Sequence, residues 1–363
     1  MAERKQLAGD NERRRVELTE ELKRISPALA ARDFVPVFGC FCFTGTDVFA
    51  YDDLVALQTP CISPIKGAVK GETLLAWLGA STGVLAKLEQ TGRDVVVSCG
   101  RSELKLASLA PEDFIFKFPE EEGISIDLKG GFKDAFERAL TSMGRDPTKP
   151  WQAGVTVEFA EGKIFLYSTN DIAASCCIVE HAEIPTSLEG QVSLMPPRFC
   201  ELLLEITGRE ALKTLLVHSQ WLEARFMSGT RLFSRAGKET RLDDYGTVFS
   251  EQLMAKKKRC VDVKEERDKI IASLDRALVI LSGVSEKYVK LSVDAGVLWI
   301  NAASPIGKVE DHAKLKDHPD IVVECSPEVL KSGLKYADAL GLFSDCIIIK
   351  QPGFTHVISV ASL

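Results

Sequence analysis

Two pairs of adjacent carboxylates, Asp52-Asp53 and Asp243-Asp244, are the first candidates for chemistry in this chain of 363 residues. On one face they would hold a divalent cation or act as acid and base. Neighbours on an extended strand point to opposite faces, so both pairs read as turn residues. Ten cysteines come second. Cys40/Cys42 and Cys176/Cys177 are too close for ordinary pairing, no two cysteines stand at C-x2-C spacing, and the others are scattered. That pattern describes reduced, mostly buried thiols and a cytoplasmic setting. The five histidines are dispersed, which leaves neither a zinc cluster nor a paired Cys-His nucleophile. The chain has no G-x-x-x-x-G-K-[ST], no G-x-G-x-x-G after a strand, no H-E-x-x-H and no G-x-S-x-G. The expectation is a protein with no catalytic residue, no metal and no cofactor.

Composition agrees with a globular chain. Hydrophobic residues make up 45% and charged residues 27%, and the formal net charge is −7. The length suggests two or three domains. An acidic total argues against a protein coated in positive charge, though a local basic lining is compatible with it. No apolar run reaches transmembrane length. The polar start, "MAERKQLAGDNERRR", is not expected to be a signal peptide, and residues 1–13 are expected to be mobile.

The elements that would position functional side chains recur three times. Short strands flow into amphipathic helices at "RVELTEELKRI", "SIDLKGGFKDAFERAL" and "CVDVKEERDKIIASLDRAL". Leu18, Leu22, Ile25 and Leu29 stand at helical spacing in the first copy. Phe132, Phe136, Leu140 and Met143 do so in the second, and Ile270, Leu274, Leu278 and Leu281 in the third. A strand, a turn at Gly45, Gly162 or Gly296, and another strand follow each helix. A second helix comes next, then closing strands such as "VVVSCGRSELKLASL". The fold class is therefore α+β: three repeated units, each with two helices packed on antiparallel sheet. Their expected boundaries are 1–122, 123–252 and 253–363. The charged stretches at 118–123 and 250–259 would be linkers, and the "KKKR" at 256–259 would be solvated.

Several stretches carry a resemblance. "SCGRSELKLASLAPEDF" resembles the closing hairpin of the first domain in the bacterial DNA sliding clamp family, the β subunit of DNA polymerase III. "ALAARDFVPVF", "SMGRDPTKPWQAG", "RLFSRAGKETRLDDYGTVF" and "LVILSGVSEKYVKL" are similar to later stretches of that family, in the same order. The likeness covers about residue 16 to 363 and describes a divergent version, such as a bacteriophage encodes.

The resemblance implies a half-ring of three domains. Two copies would join head to tail around duplex DNA, helices inward, and tether DNA polymerase and the clamp loader through short peptides. DNA would be met through its backbone, without sequence preference, by Arg32, Arg145, Lys149, Trp151, Lys23, Arg24, Lys133, Arg138, Lys269 and Arg276. The partner-peptide pocket would be Thr169, Ile172, Ala174, Val248, Tyr288, Val357, Ile358, Val360 and Leu363. The dimer seam would set Leu104 and Leu106 against Ile280 and Leu281. The chain departs from the family at "TNDIAA" (169–174), at "SVASL" (359–363), at Asp243 in place of a proline, and at Glu103, where a base is usual. Cytoplasm of a bacterial cell or an infected host is the implied location, with no membrane partner. Two other readings stand beside this one: a monomeric peptide-binding adaptor or decoy with the clamp fold, and an unrelated α+β enzyme.

Overall fold

The computed structural model describes residues 12–30, 35–128, 130–146, 148–150, 152–179, 182–237, 245 and 248–361. The first repeat runs β1 (Glu12–Arg14), α1 (Arg15–Ile25), β2 (Cys40–Phe43), β3 (Asp47–Tyr51), β4 (Val55–Pro60), β5 (Gly67–Lys70), α2 (Gly71–Ala80), β6 (Leu85–Thr91), β7 (Asp94–Cys99) and β8 (Ser102–Ala107). The second runs β9 (Ile124–Leu128), α3 (Phe132–Ala139), β10 (Val155–Ala160), β11 (Lys163–Thr169), β12 (Ala173–Val179), β13 (Ala182–Glu183), β14 (Val192–Met195), α4 (Pro197–Thr207), β15 (Leu212–Val217), β16 (Trp221–Phe226) and β17 (Arg231–Arg235). After α5 (Glu251–Lys257) the third runs β18 (Val261–Asp262), α6 (Arg267–Ile280), β19 (Val289–Asp294), β20 (Val297–Ser304), β21 (Gly307–Lys314), β22 (Ile321–Cys325), α7 (Pro327–Leu334), β23 (Ala339–Leu342), β24 (Cys346–Gln351) and β25 (Phe354–Ser359). The chain is α+β, and the order strand, helix, strands, helix, three strands occurs three times.

Contacts gather the chain into two compact units, residues 1–127 with 201–236 and residues 128–200 with 237–363. In the first unit one sheet has the order β1-β6-β7-β8, and another runs β9-β15-β16-β17-β4-β3-β2-β5. β17 lies antiparallel on β4, with Leu232 opposite Leu57 and Phe233 opposite Ala56. In the second unit the sheets run β14-β10-β11-β12-β25-β24-β23-β18 and β21-β20-β19-β22. Here β12 lies antiparallel on β25, with Ala174 opposite Val357 and Cys177 opposite Phe354. The second repeat thus lends its closing strands to the first repeat's sheet and its middle strands to the third's.

Local chemistry explains the helices. Leu18, Leu22 and Ile25 of α1 are fully buried, and Pro27 stands two residues past the helix's last residue. The stripe therefore ends at Ile25, and Leu29 lies beyond the helix. Arg15 donates to the carbonyls of Leu78 at 2.8 Å and Gly83 at 2.9 Å, satisfying an acceptor of the last turn of α2. The three hairpin glycines have φ of 102° (Gly45), 67° (Gly162) and 76° (Gly296), a region closed to most side chains. The stretch 250–259 is largely exposed, Lys258 and Arg259 included, but it is not irregular. Most of it forms α5, because Leu253 packs with Phe343, Cys346 and Ile348, and Lys256 pairs with Asp345 at 2.5 Å. Among the described residues no helix is long and apolar enough to cross a membrane.

The first unit holds an aromatic core of Phe49, Tyr51, Phe116 and Phe233, with Phe114, Phe118 and Trp221 packed against it. Beside it lies a buried carboxylate. Glu223 on β16 is 0% exposed and accepts from Arg231 Nε at 2.7 Å, from Arg225 Nε, and from His218 Nε2 at 3.0 Å. Burial alone would raise its pKa, but the bonds from Arg231, Arg225 and His218 outweigh it and hold the group at about 2 instead of 4.5. Its ionisation therefore stabilises the fold fully above about 4.5, and that contribution is lost as pH falls through about 2. Glu223→Ala strands this charge network and is expected to cost about 3 kcal/mol in urea unfolding at pH 7. Glu223→Gln is expected to flatten the loss of stability between pH 4.5 and 2; an acid limb as steep as the parent's would refute the assignment.

Candidate functional site

In the second unit the turn after β11 and the end of β25 build a cleft of about 420 Å³. Asn170 Oδ1 accepts from the backbone N–H groups of Ile172 (3.3 Å) and Ala173 (2.9 Å), closing a tight turn with Asp171 at φ 69°. This turn leaves Ile172 47% exposed at the head of β12. The tail is stitched on both sides: Ser359 N–H donates to Ile172 O at 2.8 Å, and Ala361 N–H to Glu324 O at 2.9 Å. Val360 is held between them, half-buried. Tyr288, 46% exposed, enters from the segment before β19, and Ser326 from the amino-terminal cap of α7. Ile172, Tyr288 and Val360 supply the apolar surface.

The rim is charged. Asp171, Glu286, Lys287 and Glu328 line the cleft. Lys287 Nζ donates to Glu328 Oε1 at 2.7 Å. Lys149 and Gln152 both bond Asp171, the latter at 2.6 Å, and those bonds hold the Asp171 carboxyl below the usual aspartate range.

Of the residues expected in a peptide pocket, Ile172, Tyr288 and Val360 line this cleft. Ala174 (5% exposed) and Ile358 (0%) are core residues of the β12–β25 ladder. Their side chains are spent on packing. Val357 packs against the Leu253–Phe343 cluster, and Thr169 turns its hydroxyl to the carbonyl of Ala173 at 3.0 Å. Val248 is exposed but does not line the cleft. Leu363 lies outside the described residues. Asp171, Glu286 and Glu328 were missed as site residues, because a carboxylate on a polar loop carries no signal until the fold sets it beside an apolar surface.

The candidate cations are mostly engaged. Lys23 pairs with Glu20 (3.3 Å), Lys133 with Glu137 (3.9 Å), Lys149 with Asp171, Lys269 with Glu266 (2.8 Å) and Arg276 with Asp311 (2.7 Å). Arg138 lies over the Tyr336 ring at 5.9 Å. Arg145 is exposed. Arg32 and Trp151 lie outside the described residues. In the first unit Lys23 and Arg24 share a cleft of about 310 Å³ with Arg209, Glu20, Glu210, Ile206 and Thr230. Arg209 was not anticipated; it sits just past α4, far in sequence from the helix it faces.

Among the strands that end their sheets are β8, beyond β7, and β21, beyond β20. Leu104 and Leu106 of β8 are half-buried, as is Ile280. Leu281 is 2% exposed, so its side chain is taken up within its own unit. Burial pushes the thiols of Cys61, Cys176 and Cys325 up to about 12, and Ser142 and Ser175 meet His356 only inside a closed core. Neither group presents an activated nucleophile to solvent.

Solved structures share this fold. The DNA polymerase sliding clamp of Pseudomonas aeruginosa superposes with a TM-score of 0.84 at 14% identity, over 97% of this chain and 99% of that one. The sliding clamp of Bacillus subtilis gives 0.82 at 14%, over 97% and 98%. The DNA polymerase III β subunit of Thermotoga maritima gives 0.79 at 17%, over 97% and 99%. No protein-family model matches the sequence, and no curated protein does. The fold is that of the bacterial sliding clamps.

The strand that carries the tail holds a buried histidine. His356 is 0% exposed, and its Nδ1 lies 2.9 Å from Ser175 Oγ and 3.1 Å from Ser142 Oγ. Burial pushes the imidazole down to about 4 from 6.5. The unfolded chain then binds the proton first, so stability is complete above about 6.5 and falls as pH drops toward 4. Thermal melts from pH 8 to 5 are expected to show this loss, and His356→Asn to show less of it. Profiles that stay parallel would exclude His356 as the titrating group.

Proposed function

We propose that the chain is a non-catalytic DNA sliding clamp. Two copies close head to tail around duplex DNA, and the ring tethers a replicative polymerase in the cytoplasm of a bacterial cell or infected host. The observation that carries the reading is the likeness to polymerase sliding clamps along 97% of the chain. The repeats 1–122, 123–252 and 253–363 act as its three domains. The edge strand β8 of one copy meets β21 of the next, so that Leu104 and Leu106 leave water and both open edges gain a partner. Lys23, Arg24 and Arg209 of the first unit, and Lys133, Arg138, Arg145, Lys149, Lys269 and Arg276 of the second, meet phosphate. Ile172, Tyr288 and Val360 receive short peptides of the polymerase and the clamp loader.

One observation favours a second reading, a monomeric adaptor with the clamp fold. Lys23, Lys133, Lys149, Lys269 and Arg276 already have carboxylate partners, which weakens the field available to DNA. Retention on DNA separates the two. The clamp, once loaded, is expected to stay on nicked circular DNA and to leave when the circle is cut.

The seam has its own test. Sedimentation of the parent is expected to give twice 39.8 kDa at micromolar concentration. Leu104→Asp buries a charge at the seam, costs about 3 kcal/mol or more, and is expected to give the monomer with unchanged circular dichroism. A variant that stays dimeric would remove Leu104 from the seam.

A further inference from the structure

The cleft that holds Ile172, Tyr288 and Val360 has more to say about its occupant. We propose that it selects peptides in which an apolar anchor is flanked by lysine or arginine. This rests on reading the cleft as a peptide site, and adds the charge of the peptide.

Asp171, Glu286 and Glu328 set three carboxylates around the apolar surface, against one amine, Lys287. Lys287 is already bonded to Glu328, at 2.7 Å. Asp171 is served from outside the cleft by Lys149 and Gln152. Glu286 makes no ion pair among the described residues and is exposed. The lining therefore keeps an excess of negative charge, with Glu286 as the carboxylate open to a visitor. Ser326, at the positive end of α7, does not reverse this, because Glu328 occupies that helix's first turn.

An anchor against Ile172, Tyr288 and Val360 places its flanking residues over this rim. A flanking ammonium or guanidinium meets Glu286 and stays partly hydrated. A flanking carboxylate meets the same charges as repulsion, so the rim discriminates by rejecting acidic peptides as well as by attracting basic ones. Because the rim is exposed, the preference weakens as salt rises.

The test uses the full-length protein and three fluorescent decapeptides with the same phenylalanine anchor, flanked by lysine, glutamine or glutamate. Anisotropy titrations are run at low and high salt. The lysine peptide is expected to bind about tenfold tighter than the glutamate peptide at low salt, a gap of about 1.4 kcal/mol, and the gap is expected to narrow at high salt. Glu286→Lys is expected to erase or reverse the order, and Ile172→Asp to lower the affinity of all three. Equal affinities, or tighter binding of the glutamate peptide, overturn the charge preference and leave the peptide site standing. No binding by any peptide overturns both. A lysine peptide that binds Ile172→Asp as well as the parent is held elsewhere, which also overturns the proposal.

Discussion

A strand at the edge of a sheet exposes a row of N–H and C=O groups, and an apolar edge left open recruits whatever strand comes near. This constraint organises the molecule. A repeat of two helices and about eight strands cannot close its own sheets into a barrel, so each copy has edges to dispose of. β17 settles onto β4, and β12 onto β25, so two edges between neighbouring repeats are satisfied within the chain. The joins are also apolar, with Leu232 opposite Leu57 and Ala174 opposite Val357. The middle repeat is shared between two compact units for this reason, and repeat and compact unit are different divisions of one chain. β8 and β21 are among the strands still at the ends of their sheets. On the clamp reading these two are the edges that a second copy completes.

The same constraint explains how a likeness can persist at 14% identity. Backbone pairing asks only for strands of the right length and alternation, and turns ask for residues that accept positive φ. Gly45, Gly162 and Gly296 meet that demand in all three repeats. Core positions ask for apolar volume, which many side chains supply. What the fold leaves free is the surface, and there the chain has its own character: Glu286 and Glu328 by the cleft, Glu103 and Lys105 on the open edge.

Much of the fold was legible because its signals are local. The helix at Arg15–Ile25 followed from Leu18, Leu22 and Ile25, and the hairpins from their glycines. The helix within 250–259 was not legible because only Leu253 signals burial, and its partners Phe343, Cys346 and Ile348 stand some ninety residues away. The sharing of the middle repeat was invisible for the same reason: no residue of β12 says which strand it will pair with. The site was legible in part. Ile172, Tyr288 and Val360 were named, whereas Ala174 and Ile358 were apolar for the sake of the core. Apolar type cannot tell a pocket from packing; exposure can, and exposure is a tertiary property.

The paired cations allow a final step. Exposed ion pairs contribute little to stability and exchange partners readily, since water screens both charges. Lys269 beside Glu266 is such a pair, and Arg276 beside Asp311 is another. On the clamp reading, a phosphate that took one of these cations would have to displace a carboxylate that returned when it left. Each contact would then be shallow, and the energy along the duplex would vary little from one base pair to the next. A fully basic lining would bind more tightly, at the expense of motion, because each step would break unopposed pairs. An acidic chain with net charge −7 is thus compatible with a ring that must hold DNA by topology and slide along it. On the clamp reading, the carboxylates that weaken the case for tight binding would be the ones a sliding surface needs.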